Sequence, residues 1–403
     1  MESLNIGIIG AGLMGRELAA AAARGFVLDD FPIRLNVMAV SDIDPERLNW
    51  FSKVPGVKYL TRDYRELLKN AEVQAVYAAV PHHLHAQVYA DCLRAGKDLL
   101  AEKPFGMDAD AARSLRDQAA ASGRFVRCSS EFPFYPGPQH AFRLVRSGAL
   151  GTILDAKAGF LHSSDLDPLK AINWKRQSAT CGAIGVMGDL GLHVTHLPLR
   201  LGWKPVSVYA QLQKVYSQRP DGRGGVAECD TWDNATLHTF MQAEGRKFPM
   251  TLEMKRIAPG ETNTWYFHAI GTQGGVRYST KEPKTLWTFT GGEDQAWHRQ
   301  DLGFRSCFPT ITGSIFEAGF PDSLLQMLAA FAWERSGRSD GPFGCATPAE
   351  AVASHELFAA ALESHRNGSV VGLAAGDGEA DPREQSWAER NRPDQHGHQA
   401  KAG

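Results

Sequence analysis

Long apolar runs are missing from this chain. None reaches the roughly 18 residues that a membrane span requires, so no membrane partner is expected. The opening residues Met1-Glu2-Ser3-Leu4-Asn5-Ile6 carry no basic stretch followed by an apolar one, which excludes the usual secretory leader and leads us to expect a cytoplasmic protein. A dense Lys/Arg block is also absent, and 43 basic residues stand against 45 acidic ones. Binding driven by phosphate neutralisation is therefore not expected, and nucleic acid is not a predicted partner. The six cysteines are scattered, with no CxxC pair and no repeated spacing, so neither a disulfide framework nor a thiolate zinc site is indicated and reduced thiols are the simplest reading. There is no internal repeat of 20 to 50 residues. What remains is an ordinary globular composition, 43% hydrophobic and 22% charged over 403 residues, enough for two or three domains with cores of their own.

The first 128 residues alternate short β-rich runs (4–9, 35–40, 75–79, 98–101, 125–128) with helical patterns (13–23, 45–51, 64–69, 85–95, 109–121). That alternation predicts an α/β fold, a doubly wound parallel sheet of the Rossmann type. Asp44 followed by Pro45 reads as an N-cap with proline in the first helical position, and Gly96 as a helix stop. Pro133, Pro136, Gly137 and Pro138 then break the rhythm, and a second domain is placed at 129–373. Its aromatic and β-branched runs at 206–215, 231–240, 264–270 and 285–289 predict a large open mixed or antiparallel sheet in an α+β domain, with helices returning at 323–333 and 348–365. Residues 374–403 are polar and nearly free of apolar side chains apart from Trp387, and are expected to be a disordered tail or a loose arm.

Gly10-Ala11-Gly12-Leu13-Met14-Gly15 follows the first strand directly and opens the first helix. In that setting Gly10 permits the tight turn, Gly12 lets a pyrophosphate approach the backbone, and Gly15 lets the helix pack on the strand; the helix N-terminus, with Leu13 and Met14, offers N–H groups to the phosphates. Asp42, at the end of the second strand, stands where a carboxylate binds the adenine ribose and repels a 2′-phosphate. NAD is therefore expected over NADP, with Arg47 working against that preference. The cluster 42–45 also reads simply as a turn.

Ala101-Glu102-Lys103-Pro104 follows a short buried strand, which brings Lys103 to the carboxyl edge of the sheet, where open α/β folds bind ligands. Beside a cationic nicotinamide its ammonium is expected to be disfavoured and its pKa lowered. A helix starting at Asp189 carries Leu190, Val194, Leu197 and Leu201 on a buried stripe and Asp189, His193, His196 and Arg200 on an adjacent polar face. Asp189 is then one turn from His193 and suited to orient it for proton transfer; a mere capping Asp fits the spacing equally. His82, His83 and His85 lack a carboxylate or Cys partner, so no metal is predicted. Of the nine tryptophans, Trp174 is the one expected in the pocket.

Together, GAGLMG at 10–15, AEKP at 101–104 and GDLGLH at 188–193 resemble the Gfo/Idh/MocA oxidoreductases, the glucose-fructose oxidoreductase and inositol dehydrogenase group. The likeness runs from about residue 5 to about residue 373. Further matching pieces are Val80-Pro81-His82-His83-Leu84-His85, Ala95-Gly96-Lys97, Ser147-Gly148-Ala149-Leu150-Gly151 and Gly271-Thr272-Gln273-Gly274. The resemblance implies NAD(P)-linked hydride transfer at a secondary alcohol or ketone of a sugar, polyol or glycoside, and a homodimer or homotetramer built through the C-terminal sheet. It also implies Lys103, Asp189 and His193 as the catalytic set, with either Lys103 or His193 as principal base. Pro81, His82, Glu102 and Lys103 would lie along the cofactor, and Trp174, Lys175 and His196 with the catalytic groups around the substrate. Three departures fall on the substrate side: His196 where Asp is common, Lys175 where Arg is common, and the segment Ser129-Ser130-Glu131-Phe132. Redox-assisted glycoside cleavage and an NAD-sensing regulator on the same fold are the competing functions.

Overall fold

The computed structural model describes residues 2–373 except 293–294, 304–305, 314, 316–317 and 339–342. The segment 374–403, expected to be a tail, lies outside the described residues.

Six parallel strands form the first sheet: β1 (Glu2–Ile9), β2 (Ile33–Ser41), β3 (Tyr59–Thr61), β4 (Ala75–Ala78), β5 (Asp98–Ala101) and β6 (Val126–Cys128). Their order is β3-β2-β1-β4-β5-β6, so the sheet reverses direction between β1 and β4, and the glycine turn leaves β1 at that switch point. The helices between them are α1 (Leu13–Ala23), α2 (Pro45–Phe51), α3 (Tyr64–Lys69), α4 (His85–Arg94) and α5 (Ala109–Ser122). β4 and β5 are buried at every position, as expected for strands covered on both faces. The Asp44 carboxylate accepts from the Glu46 N–H with Pro45 at the first turn of α2, and Gly96 takes φ 72° just past α4.

Beyond α6 (Pro136–Arg146) comes β7 (Ile153–Leu161), followed by the short α7 (Ser178–Cys181) and the central α8 (Val186–Arg200). Then β8 (Lys204–Gln213), the small hairpin of β9 (Gln218–Pro220) and β10 (Val226–Glu228), β11 (Asn234–Ala243), β12 (Arg246–Lys255), β13 (Thr264–Gly271), β14 (Gly274–Ser279), β15 (Thr285–Thr290) and β16 (Trp297–Asp301) succeed one another. The chain closes with α9 (Phe320–Arg335), α10 (Pro348–Asn367) and β17 (Val371–Gly372). Nine of these strands form one sheet, β16-β15-β14-β13-β7-β12-β11-β8-β17, antiparallel except for the parallel pair β7–β12.

α8 departs from the predicted amphipathic stripe: every residue from Val186 to Pro198 is buried. The helix lies on β7 and β12 with α10 across its other side, so it has no solvent face. Gly191 makes the close crossing possible, because a Cβ there would sit 2.2 Å from the Phe358 ring of α10. Thr195 and Ser354 join the two helices by a 2.7 Å hydroxyl hydrogen bond.

The last two helices return to the first sheet's layer. α9 packs on α1, and α10 packs on α5. Cys128 N–H donates to the Ala346 carbonyl at 2.7 Å, and ion pairs Arg335–Asp98, Arg127–Glu334 and Arg24–Asp322 join the same surfaces.

Candidate active site

The glycine turn has the shape a dinucleotide requires. Gly10 has φ 101°, and a Cβ on it would lie 2.2 Å from the Ala79 carbonyl oxygen; a Cβ on Gly15 would lie 2.1 Å from the Gly10 carbonyl oxygen. At Gly12 nothing stands within 4 Å, so the backbone there is open to a ligand. Gly12 also caps α1 without a side-chain hydrogen bond, leaving the first-turn N–H groups of Leu13, Met14 and Gly15 uncapped by any side chain, and Leu13 is 74% exposed. These features fit a pyrophosphate. Asp42 does two things: Oδ2 accepts from the Ala11 N–H at 2.7 Å, bracing the glycine turn, while Oδ1 accepts from the Asp44 N–H at 2.9 Å. The turn reading and the cofactor-edge reading of this residue thus coexist, with Arg47 Nη1 3.8 Å from its carboxylate.

At the carboxyl ends of β4 and β5, Pro81 precedes a single helical turn that carries His82. The His82 ring lies 3.2 Å through Nδ1 from the Cys181 carbonyl and packs edge-on against Trp174, 4.6 Å between centroids. His85 lies between two carbonyls, Nδ1 2.7 Å from that of Pro104 and Nε2 2.8 Å from that of Val80, and in its neutral form donates to one of them. Burial holds both imidazoles below the ordinary histidine range, His85 at about 4. Glu102 is gripped by Tyr77, whose hydroxyl donates to Oε1 at 2.5 Å, and by the Lys103 N–H at 3.2 Å.

Asp189 is the hub. Its carboxylate accepts from Lys103 Nζ at 3.1 Å, from Lys175 Nζ at 2.9 Å, and from Arg256 Nε and Nη2 at 3.1 and 3.0 Å. Burial works to raise the Asp189 pKa, but the three cations outweigh it and hold the acid well below the usual carboxylate range. For the protein by itself, burial acts to lower the Lys103 pKa, yet Asp189, Glu102 and Glu131 together keep the ammonium above the usual lysine value.

Two further expectations are corrected. Asp189 does not orient His193, because its oxygens are taken by Lys103, Lys175 and Arg256. The carboxylate facing His193 is Glu131, with Oε2 3.8 Å from Nδ1, and the imidazole is held edge-on between Phe132 and Phe160. Burial, with the Lys103 charge beside it, keeps His193 well below the ordinary histidine pKa, hence neutral. His196 does not join the group around Asp189: fully buried, it packs on Phe343, with Glu350 and Arg200 as its charged surroundings, and burial pushes it down to about 3. Arg256 escaped the sequence reading. It follows directly on β12 and continues an alternating strand pattern, and nothing in that pattern separates a buried guanidinium from a surface one.

A nucleotide-shaped turn at a sheet's switch point, with a lysine just past β5 of the same sheet bound to a carboxylate that shares α8 with an imidazole, is the layout of an NAD-binding oxidoreductase. Two family models agree: the NAD-binding Rossmann fold of the GFO_IDH_MocA oxidoreductase family matches residues 4–130, and the GFO/IDH/MocA C-terminal domain matches 139–277. The chain belongs to that family, and is an enzyme of it. Levoglucosan dehydrogenase of Pseudarthrobacter phenanthrenivorans is 26% identical over 330 residues, 76% of this chain and 80% of that one. Trans-1,2-dihydrobenzene-1,2-diol dehydrogenase of Macaca fascicularis is 28% identical over 192 residues, 47% of this chain and 54% of that one. Among solved structures, levoglucosan dehydrogenase in complex with NADH and levoglucosan superposes with a TM-score of 0.82 at 22% identity, covering 93% of this chain and 100% of that one, and shares the fold. Among the described residues no helix is long and apolar enough to cross a membrane.

Proposed function

We propose that the protein is an NAD-dependent dehydrogenase of a secondary alcohol on a sugar or polyol. The observation that carries this reading is that Lys103, at the carboxyl end of the sheet that carries the open glycine turn, binds Asp189 and lies within electrostatic reach of His193, and the relative named for levoglucosan supports the carbohydrate class. The turn at Gly10, Gly12 and Gly15 and the α1 N-terminus would hold the pyrophosphate, with Asp42 at the ribose and Pro81, His82 and Glu102 along the ring end. When bound, the nicotinamide supplies the hydride acceptor or donor.

The chain's own residues manage the oxygen and its proton. Lys103, kept as an ammonium by three carboxylates, donates a hydrogen bond to the substrate oxygen and stabilises the negative charge that develops there. His193, kept neutral, accepts the hydroxyl proton in oxidation and returns it in reduction. Asp189 fixes Lys103 and Lys175 in place, and Trp174 supplies an aromatic wall next to His82. The six cysteines are all free thiols, which supports a reducing, cytoplasmic setting. The outer face of the nine-stranded sheet carries the exposed Phe240 and the half-buried Ile270 and Trp287; such a surface supports assembly of two or four copies, read as a solution mass two or four times 44.0 kDa by light scattering.

A panel of polyols, aldoses and glycosides incubated with NAD⁺ tests the reading through absorbance of the reduced nicotinamide. Stoichiometric reduction with one carbohydrate class is expected; release of an aglycone without net reduction, or no turnover with any carbohydrate, overturns it. The NAD preference has its own test. Asp42→Asn keeps a hydrogen-bond acceptor for the Ala11 N–H but removes the charge, and is expected to narrow the ratio of kcat/KM for NAD over NADP about tenfold, on the order of one charge–phosphate interaction near the surface. An unchanged ratio would show that Asp42 only braces the turn.

A further inference from the structure

Between β6 and α6 the segment Ser129-Ser130-Glu131-Phe132 passes under α8 and delivers a carboxylate into the interior. Glu131 is 4% exposed and His193 2%. Glu131 Oε2 and His193 Nδ1 face each other across 3.8 Å, and neither has a hydrogen-bond partner among the described residues. Two buried polar atoms left unsatisfied opposite one another are uncommon, since nearly all such atoms are paired, and each bears a proton position that the other can use. A shift of about 1 Å brings them to hydrogen-bonding distance. The ring is already confined between Phe132 and Phe160, and Trp265 Nε1 donates to the His193 carbonyl at 2.7 Å, so the imidazole has little freedom except along this line.

We infer that Glu131 is a positioning residue that shares one proton with His193 Nδ1 and thereby sets the tautomer of the imidazole. The catalytic consequence rests on the dehydrogenase reading above; the proton sharing itself does not. With Glu131 ionised, the carboxylate accepts from Nδ1–H, and Nε2 keeps its lone pair, able to take a hydroxyl proton. With Glu131 protonated, its O–H donates to Nδ1, and Nε2 carries the hydrogen and accepts nothing. Going from the first arrangement to the second, the Nδ1 proton passes along this line to Oε2 while Nε2 takes up one proton from solvent, so the pair goes from a net charge of −1 to neutral; raising the pH reverses both transfers.

The surroundings poise that titration near neutrality. Glu102 beside it disfavours the anion and Lys103 favours it; Tyr77 from β4 and Tyr135 from its own segment stand close, and Asp189, His196 and His162 surround the His193 side. From α9, Asp322 acts on Tyr135. Burial, with Glu102, pushes Glu131 up to about 7 against the pull of Lys103.

The test uses the full chain without substrate. Protein labelled with ¹⁵N-histidine, with His193→Asn to assign the signal, is followed by long-range ¹H–¹⁵N spectra between pH 5.5 and 8.5. We expect the proton of His193 to pass from Nε2 to Nδ1 as pH rises through neutrality, and Glu131→Gln to abolish the passage. In the parallel kinetic arm, kcat/KM for alcohol oxidation rises about tenfold from pH 6 to 8 in the wild type, as one titrating group requires, and less than twofold in Glu131→Gln, with Glu131→Asp restoring the slope. A tautomer that stays fixed over this range in the wild type overturns the inference even if Glu131→Gln fails to fold. A tautomer that passes as expected in a protein that oxidises no carbohydrate leaves the inference standing and removes the proposed function instead.

Discussion

Lys103→Met is expected to lower kcat for oxidation of the accepted carbohydrate by about 10³-fold, with the NAD⁺ dissociation constant changed little. On the proposed reading the variant removes an ammonium that stabilises the reacting oxygen, and loss of such a charge-stabilising donor costs about two to four orders of magnitude in comparable sites. Folding should be nearly unaffected. Asp189 would keep Arg256 at 3.0 Å and Lys175 at 2.9 Å, so its carboxylate stays paired. Steady-state absorbance of the reduced nicotinamide, with NAD⁺ binding measured by quenching of protein fluorescence, separates the two effects. Full turnover in this variant would remove Lys103 from the chemistry and leave it as a partner of Asp189 only.

Asp189→Asn is expected to have the largest effect on stability, about 3–5 kcal/mol, because it leaves buried Arg256 and two lysines in mutual repulsion without their shared anion. The sign with pH follows from linkage. An acid whose folded pKa lies below its unfolded value near about 4 contributes stability that is fully present above that value and disappears as pH falls through the folded pKa. The difference between wild type and variant should therefore be fully present at neutral pH and shrink only below about pH 4, which denaturant titrations at neutral pH and at successively lower pH below the ordinary carboxylate range would show. The same change reverses the balance at Lys103. Without Asp189, burial meets less opposition, the ammonium becomes easier to deprotonate, and the alkaline limb of the activity profile moves to lower pH. An unchanged denaturation midpoint at pH 7 would mean that the three cations are solvated well enough to need no common partner.

The chain announces its first sheet clearly. Short buried strands at 4–9 and 98–101, an Asp-Pro helix start at 44–45 and a glycine stop at 96 are local signals, set by backbone sterics and by burial on both faces, and they survive into the folded state. The large sheet was legible as a class from its β-branched and aromatic runs, but β12 and its parallel pairing with β7 were not, since pairing partners come from tertiary contacts rather than from any one segment. In the site, the spacing of Asp189 and His193 placed both on α8, and in that the helical period was sufficient. It misled on their relationship: proximity on a helix says nothing of what arrives from other elements, and Arg256 just past β12 and Lys103 just past β5 claimed the carboxylate first. His196 failed for the same reason from the other side. A polar stripe was inferred from the period of α8, whereas α10 and Phe343 closed over that face. Glu131 was noticed only as an odd residue in an odd segment; its burial is a fact of packing that no local pattern records.

The return of α9 and α10 to the first sheet bears on how the chain can be divided. A fragment ending at Cys128 would keep all six parallel strands but lose the helices that cover α1 and α5, along with the carbonyl of Ala346 that satisfies the Cys128 N–H. Such a piece, recombinantly expressed or released by a protease, would bare apolar patches and cling to itself, so swapping nucleotide-binding halves between relatives has to carry the C-terminal helices along with them.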